Sequence, residues 1–323
     1  MTAPRAVLAG GSGFLGPHLR RDLEGRGYRV VGIGRRGPDA SWADPAAVRR
    51  LVDGADLVLN LAGRSVGCRY TDRNREEILR SRVETTRLLH EAVAGAAEPP
   101  RVWLNASTAT IYRHATDRPQ TEDDGELGSG FSVDVAREWE RTLFAGELPR
   151  TRRVALRMAI VLGDGPALTM LRRAARFGSG GPQLDGPWFP HRRYRGTGSA
   201  PTPAAVHDTR TRGQQRFSWI HVDDLVAAVA FLDEHEEVEG AVNLAAPGTS
   251  TNAAFMAALR RSVGVPFGLP APRWLLEPGM FVLRQESELV LKSRWAVPAR
   301  LTAAGFTFRW PELDAAIADL LPR

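Results

Sequence analysis

The sequence has one cysteine, one lysine and no long apolar run. The single cysteine, Cys68, excludes an internal disulfide, which is typical of a reducing compartment, so we expect a cytoplasmic protein. No segment approaches the roughly 18–20 consecutive apolar residues of a transmembrane helix. The first strand-like segment also follows the N-terminus without an apolar signal segment. We therefore expect no membrane partner.

Arginine carries almost all of the positive charge. Lysine and arginine number 43 against 37 acidic residues, which gives a net charge of +6, yet Lys292 is the only lysine. No basic stripe is interleaved with aromatic residues, so we expect no nucleic-acid partner. The seven histidines are scattered, and neither His-x-x-x-His nor Cys-x-x-Cys occurs, so no metal site is predicted. The content of 43% hydrophobic and 25% charged residues is that of an ordinary globular protein.

The strongest motif is a glycine cluster between an apolar strand and an amphipathic helix. Residues 6–9 are apolar, residues 10–16 read GGSGFLG, and a second apolar strand at 29–34 completes a βαβ unit. Glycine is needed there for a tight turn, for close approach of the backbone to a pyrophosphate, and for packing of the helix on the strand. The positive end of the helix favours phosphate. This predicts a dinucleotide site that includes Gly10, Gly13, Phe14, Leu15 and Gly16.

The end of the second strand indicates which dinucleotide is bound. In such folds an acidic residue about 20 residues after the glycines holds the ribose 2′-OH of NAD, whereas arginine accommodates the 2′-phosphate of NADP. Here Arg35 and Arg36 occupy that place, and no acidic residue occurs before Asp39. We therefore predict NADP(H). The alternative is that both arginines are merely solvated.

Strand-like and helix-like segments alternate through the first half of the chain. A buried strand at 56–63 ends in small residues that let the chain approach a cofactor at the carboxyl edge of a sheet. Further strands are predicted at 102–108 and 154–162. The alternation predicts an α/β protein with a doubly wound parallel (Rossmann) sheet. We also expect cofactor contacts from the four residues that end the strand before the one at 102–108. These residues are Asn60, Leu61, Ala62 and Gly63.

The pattern predicts a cofactor domain at 1–165, to which a strand at 241–245 returns, and a smaller, mostly helical substrate lobe at 166–323. Residues 178–216 are rich in Gly, Pro, Thr and Arg without either periodicity, which predicts a long loop. Its arginines fit an anionic small-molecule substrate, and plain mobility is the alternative. These arginines are Arg192, Arg193, Arg195, Arg210 and Arg212. The helices predicted in the lobe lie near 251–263, 272–282, 285–296 and 312–321.

Together, these motifs resemble the extended type of the short-chain dehydrogenase/reductase superfamily, which includes nucleotide-sugar epimerases. The resemblance continues from the glycine cluster through SRVETTRLL at 81–89 and FSWIHVDDL at 217–225. More narrowly, residues 288–294 and 301–306 are similar to the C-terminal domain of unknown function in an atypical epimerase-like branch. The resemblance implies a Rossmann fold that binds NADP(H), with the substrate held between two lobes.

The superfamily's catalytic Tyr-x-x-x-Lys pair is missing. None of the four tyrosines has a lysine four residues later, and the positions that match the pair hold Phe131 and Val135, which carry no exchangeable proton. Three residues remain as catalytic candidates: Thr108, Tyr112 and His221. Thr108 matches the superfamily's Ser/Thr that hydrogen-bonds the reacting oxygen, whereas the other two can donate a proton. The alternatives are a strand cap, a packed phenol and a satisfied buried imidazole.

Two functions stay open at this point. The first is an NADP(H)-dependent oxidoreductase or epimerase-like enzyme with a changed proton relay, acting on a nucleotide sugar or another carbonyl or hydroxyl compound. The second is a non-catalytic protein that senses NADP(H) or acts through a partner, because fold-level analogy does not assign chemistry. The sequence leaves the substrate and the oligomeric state open.

Overall fold

The structure is a computed structural model that describes residues 3–176, 178, 180–186 and 210–321. Much of the loop predicted at 178–216 lies outside these residues. Three of its arginines lie there too: Arg192, Arg193 and Arg195. Arg210 and Arg212 are described, and Arg212 has the positive φ of 54° that is uncommon for residues other than glycine.

The described chain forms strands and helices in alternation. The strands are β1 (Arg5–Ala9), β2 (Arg29–Gly34), β3 (Ala40–Ser41), β4 (Leu57–Asn60), β5 (Val102–Thr108), β6 (Arg152–Met158), β7 (Ile160–Leu162), β8 (Arg216–Phe217), β9 (Trp219–His221), β10 (Gly240–Leu244) and β11 (Ser250–Thr251). The helices are α1 (Leu15–Gly25), α2 (Pro45–Val52), α3 (Asp72–Ala94), α4 (Phe131–Leu143), α5 (Pro166–Arg176), α6 (Val222–Glu234), α7 (Asn252–Ser262), α8 (Arg273–Val282), α9 (Glu288–Leu291), α10 (Ala299–Ala303) and α11 (Leu313–Leu320). None of these helices has both the length and the apolar character that a bilayer crossing requires.

Seven strands form one sheet in the order β10-β6-β5-β4-β1-β2-β3, with every neighbouring pair parallel. The inner strands β1 and β4 are buried along almost their whole length because helices cover both faces of the sheet. The strand order reverses between β1 and β4, and ligands bind at the carboxyl ends of strands at such a point. The predicted doubly wound parallel sheet is confirmed.

Two helical layers bury the sheet. On one face Leu23 of α1 and Val229 of α6 belong to the same apolar core, and on the other face Val48, Leu89 and Leu143 bring α2, α3 and α4 together. The chain therefore returns to the sheet twice after residue 166. Helix α6 packs on one face of the sheet, and the strand predicted at 241–245 joins its edge as β10. This double return places the end of the chain beside the carboxyl edge of the sheet.

The C-terminal lobe has a core of its own. Helices α5, α7 and α11 pack around the buried Trp219, and Phe217 and Phe255 stack with their ring centres 4.2 Å apart. The structure confirms helices close to three of the four predicted positions in this lobe.

The predicted helix at 285–296 is wrong over most of its length, because only Glu288–Leu291 is helical. Ser293 and Arg294 instead bond to distant backbone: Arg216 N–H donates to Ser293 Oγ, and Arg294 N–H donates to the Arg216 carbonyl, both at 2.9 Å. The strand predicted at 154–162 is interrupted at Ala159, whose N–H donates to the Leu244 carbonyl. In both places long-range hydrogen bonds prevail over the local pattern.

Candidate functional site

The carboxyl ends of β1, β4 and β5 open into a cavity of about 450 Å³. Helix α4 forms one wall, and Leu289 and Arg294 of the C-terminal segment form another. Seven of the eleven residues predicted to bind the cofactor line this cavity: Gly10, Gly13, Phe14, Leu15, Gly16, Leu61 and Gly63. The structure therefore brings most of the predicted cofactor site together at the reversal of strand order.

Glycine is required at different positions of the turn for different structural reasons. Gly10 has φ +73°, and a Cβ there would lie 2.6 Å from the backbone of Ala62. A Cβ on Gly16 would lie 1.7 Å from the carbonyl oxygen of Gly11, so this glycine lets α1 pack on the turn. Gly13 lines the cavity, and no atom lies within 4 Å of the position of its missing Cβ. The space beside Gly13 is what the close approach of a diphosphate requires.

The first turn of α1 faces the same cavity. Its N-cap residue, Phe14, makes no side-chain capping hydrogen bond, and no acidic residue occurs in the first turn. The first N–H groups of a helix have no partner within the helix, and they carry the positive end of its dipole. This helix start is therefore suited to an anion.

Asn60 and Ala62 support the cavity from behind. Asn60 is fully buried; its Nδ2 donates to Asn105 Oδ1 at 2.7 Å, and its Oδ1 accepts from the N–H of Ala62 at 3.0 Å. Neither residue is part of the cavity lining. These hydrogen bonds fix the turn after β4, which then presents Leu61 and Gly63 to the cavity.

Arg35 and Arg36 follow β2 and are exposed outside the cavity lining. The nearest acidic side chain in the sequence, Asp39, is turned back toward β2, where its Oδ2 accepts the N–H of Gly32 at 2.7 Å. The carboxylate of Asp39 is thereby engaged with the protein backbone. Arg35 and Arg36 are both exposed, so their contact with the 2′-phosphate stays a prediction.

Arg82 of α3 brings a partly buried positive charge to the cavity. Its Nη1 donates to the carbonyl oxygens of Arg64 and Ile78, both at 3.0 Å, and its guanidinium lies 4.8 Å from the Trp139 ring centre. Burial lowers the pKa of Arg82 to about 10, so the group is still charged at neutral pH. It lies against Gly63, and a partly buried cation in this place is stabilised by an anionic ligand.

Phe131 and Val135 line the cavity from the first turns of α4. They are the positions at which the resemblance places the acid–base tyrosine and lysine. Both side chains are buried, and the guanidinium of Arg75 lies 5.8 Å from the centre of the Phe131 ring. This part of the wall is apolar and exchanges no proton.

Thr108 ends β5 and is the predicted catalytic candidate that lines the cavity. Its Oγ1 accepts the N–H of Thr110 at 3.2 Å. Because a hydroxyl both accepts and donates, Thr108 can keep this hydrogen bond and donate to an oxygen in the cavity. Its role in binding stays a prediction.

Tyr112 lies outside the cavity lining and is 1% exposed. Its hydroxyl donates to Asn243 Oδ1 and accepts from Arg157 Nη1, both at 2.9 Å. Burial raises the pKa of this phenol. Tyr112 can serve as a proton donor in the cavity only after both hydrogen bonds break, so the structure assigns it to the packed interior.

His221 also lies outside the cavity lining, at the start of α6. Its Nδ1 accepts the N–H of Asp223 at 3.1 Å, its Nε2 lies 3.3 Å from Asp319 Oδ2, and burial lowers its pKa. His221, Asp223 and Asp319 each have one potential metal-binding atom within 4.8 Å of those of the other two. The two carboxylates are exposed, an arrangement that solvated acidic residues adopt without an ion. The absence of a metal site stays a prediction.

The cavity residues to which the sequence analysis assigns no role include Tyr70, Arg82 and Arg294. The signal for Arg82 is a charged residue four positions after the apolar Ile78, on the same face of the helical segment that forms α3. Arg294 is fixed by its Nε, which donates to Thr110 Oγ1 at 3.1 Å. Next to it, Lys292 Nζ donates to the Thr110 carbonyl at 2.6 Å, and burial lowers its pKa to about 8.

Comparison with known proteins gives a consistent result. A model of the NAD dependent epimerase/dehydratase family matches residues 6–131, and a model of a domain of unknown function (DUF1731) matches residues 271–320. The epimerase family protein SDR39U1 of Bos taurus is 32% identical over 325 residues, which is 98% of this chain and 99% of the relative. The crystal structure of human epimerase family protein SDR39U1 (isoform 2) with NADPH matches with a TM-score of 0.81 and 28% identity, covering 98% of this chain and 99% of that one.

The fold and the cavity define a Rossmann-type protein of the extended short-chain dehydrogenase/reductase kind. Both family models match where the resemblance expects them, and SDR39U1 of Mus musculus is 30% identical over 98% of this chain and 99% of its own length. The chain belongs to the epimerase family, in the branch that carries the C-terminal domain of unknown function. The resemblance inferred from the sequence is thereby confirmed.

Proposed function

We propose that this protein binds NADP(H) and acts as an epimerase-like oxidoreductase on a small-molecule carbonyl or hydroxyl substrate, with nucleotide sugars among the candidates. The observation that carries the proposal is that Gly13 and Thr108 line one cavity, so a cofactor cradle adjoins a hydroxyl that can hold a reacting oxygen. In this proposal residues 1–165 with β10 hold the cofactor. The lobe from residue 166 supplies Leu289 and Arg294 to the substrate end.

Three features fit a dinucleotide diphosphate. The start of α1 carries the positive end of the helix dipole without an acidic side chain in its first turn, Gly13 leaves room for close approach, and Arg82 supplies a partly buried positive charge. The human relative that was crystallised with NADPH supports the same ligand. When bound, the cofactor supplies hydride chemistry, while the residues of this chain bind and orient the substrate.

Arg294 and Arg82 favour a substrate that carries a negative charge. Both guanidinium groups line the cavity, and burial lowers the pKa of each. Both guanidinium groups already donate to protein oxygen atoms, and an anionic substrate or cofactor group adds a counter-charge in the cavity. Arg210 and Arg212 are two of the loop arginines that are also expected to meet an anionic substrate. Neither of them lines this cavity.

The test of the proposal has two parts. Calorimetry measures the binding of NADPH and NADH to the purified protein, and cofactor absorbance then follows turnover with a panel of carbonyl compounds and nucleotide sugars. NADPH binding with turnover of any member supports the proposal. Binding of neither cofactor overturns it.

A second function, a non-catalytic sensor or partner-binding module, is favoured by the apolar wall formed by Phe131 and Val135. NADPH binding without turnover of any member of the panel would favour this function over the enzyme. Turnover at an ordinary enzymatic rate would exclude it.

The preference for NADP(H) predicts the effect of one charge reversal. Arg35→Asp should weaken NADPH binding and leave NADH binding nearly unchanged, because the 2′-phosphate loses a cationic partner. A charged hydrogen bond is worth about 1.5–3 kcal/mol, which is roughly a 10- to 100-fold change in affinity. Calorimetry with both cofactors measures the difference.

Arg29→Asp makes the same charge change at the exposed beginning of β2 and should alter neither affinity. An equal loss for both cofactors after Arg35→Asp would contradict the assignment.

A further inference from the structure

The phenol of Tyr70 lies beside the position where the acid–base tyrosine is missing. Tyr70 lines the cavity with Thr108 and Phe131. Its ring centre is 4.8 Å from that of Phe131, with an angle of 66° between the ring planes. Although Phe131 has no hydroxyl, a neighbouring chain segment therefore brings a phenol to the same wall of the cavity.

The hydroxyl of Tyr70 is connected to a carboxylate through a second hydroxyl. It lies within reach of the Ser132 side chain, which lines the same cavity, and Ser132 Oγ donates to Glu288 Oε2 at 3.3 Å. The other carboxylate oxygen, Glu288 Oε1, is buried and has no hydrogen-bond partner among the described residues. Tyr70, Ser132 and Glu288 thus form a row of proton-exchanging side chains that joins the segment before α3 to α4 and α9.

Charges of both signs face this phenol. Arg82 from α3 and Arg294 from the C-terminal segment are the nearby cations, and Glu286 and Glu288 are the nearby anions. Burial is the main reason that the pKa of Tyr70 is raised above its ordinary value, so the phenol keeps its proton at neutral pH. The two guanidinium groups stabilise the phenolate that forms when the proton leaves.

We propose that Tyr70 is the proton donor of this cavity, in the role that Phe131 cannot fill, and that Ser132 and Glu288 return its proton. This inference rests on the proposed function. Reduction of a carbonyl carbon by hydride leaves its oxygen one proton short, and the O–H bond of Tyr70 breaks as the new O–H bond forms. The phenolate then takes the proton of the Ser132 hydroxyl. Glu288, once protonated from solvent, gives its proton to Ser132. Substrate oxidation runs the same transfers in reverse.

The first test compares Tyr70→Phe with the wild type in NADPH binding and in turnover of the panel. General acid catalysis contributes about 100- to 10,000-fold, so we expect kcat to fall by at least about 100-fold. NADPH affinity should stay within about twofold of the wild type, because the ring and its packing are retained. Tyr28→Phe is the matched control: its hydroxyl donates to Asp233 at 2.8 Å, outside the cavity lining, and turnover should not change.

Two outcomes of this test overturn the proposal while leaving cofactor binding intact. One is Tyr70→Phe protein that turns over like the wild type, and the other is wild-type protein that binds NADPH and turns over nothing. Failure to bind NADPH overturns the proposed function itself, together with the donor role that rests on it. The outcomes are therefore distinguishable.

The second test needs no cofactor and no substrate. Ultraviolet titration of tyrosinate in the wild type, minus that of Tyr70→Phe, isolates the ionisation of Tyr70. Arg294→Gln should move this ionisation to higher pH, because a cation that stabilises the phenolate has been removed, and Glu288→Gln should move it to lower pH. Identical titrations in both variants and the wild type would show that these groups do not act on the phenol and would overturn the relay.

Discussion

Valine in place of Gly13 is expected to abolish NADPH binding at micromolar protein while leaving thermal stability unchanged. Gly13 has no positive φ, and no atom lies within 4 Å of the position of its Cβ, so the new side chain extends into the cavity without meeting the protein. It fills the space through which a diphosphate approaches the helix start. Each charged hydrogen bond that is lost weakens binding by about 10- to 100-fold. Calorimetry measures the affinity, and thermal unfolding measures the stability.

Gly25→Val is the matched control for this substitution. Gly25 ends the same helix, is exposed, and also has no atom within 4 Å of its Cβ position, but it does not line the cavity. Its valine variant should bind NADPH like the wild type. Full NADPH affinity in the Gly13→Val protein would show that the cofactor does not pass close to the turn. Substitution of Gly16 is less informative, because its Cβ would overlap the Gly11 carbonyl and disturb the fold.

The cofactor half of the site was predictable because it depends on local rules. A tight turn, a helix start and close backbone approach each require glycine within a few residues of one another, so the motif and its βαβ context specify the geometry. Gly10, Gly13 and Gly16 all line the cavity, and their contact with the cofactor stays a prediction. The parallel sheet followed for the same reason, since buried strands that alternate with amphipathic helices have few alternative arrangements.

The catalytic half depends on partners that are distant in the sequence. The direction of Tyr112 is set by Arg157 and Asn243, which are 45 and 131 residues away. Tyr70 meets Phe131 only because the chain folds α3 against α4. No local spacing reports either contact, so the sequence could name Tyr112 as a candidate and give no reason to name Tyr70.

The second large effect is expected from the ion pair beneath the cavity, where Arg157→Met should reduce the free energy of unfolding by about 3–5 kcal/mol. Arg157 and Glu140 are both buried, with Nη2–Oε2 at 2.8 Å and Nε–Oε1 at 2.9 Å. Removing the guanidinium leaves a buried carboxylate whose other recorded partner is the hydroxyl of Ser107, at 2.6 Å. It also removes a donor to Tyr112. Urea unfolding measures the change.

Two further variants separate the charge effect from the packing effect. Arg157→Met combined with Glu140→Leu should recover much of the lost stability, because replacing both members of a buried pair by apolar residues leaves no uncompensated charge. Arg141→Met breaks the exposed pair with Glu138 on the same helix and should leave unfolding unchanged, since solvent screens such pairs. If Arg157→Met is as stable as Arg141→Met, the buried pair does not hold β6 against α4. If the double variant is less stable than Arg157→Met, lost packing rather than the unpaired carboxylate explains the defect.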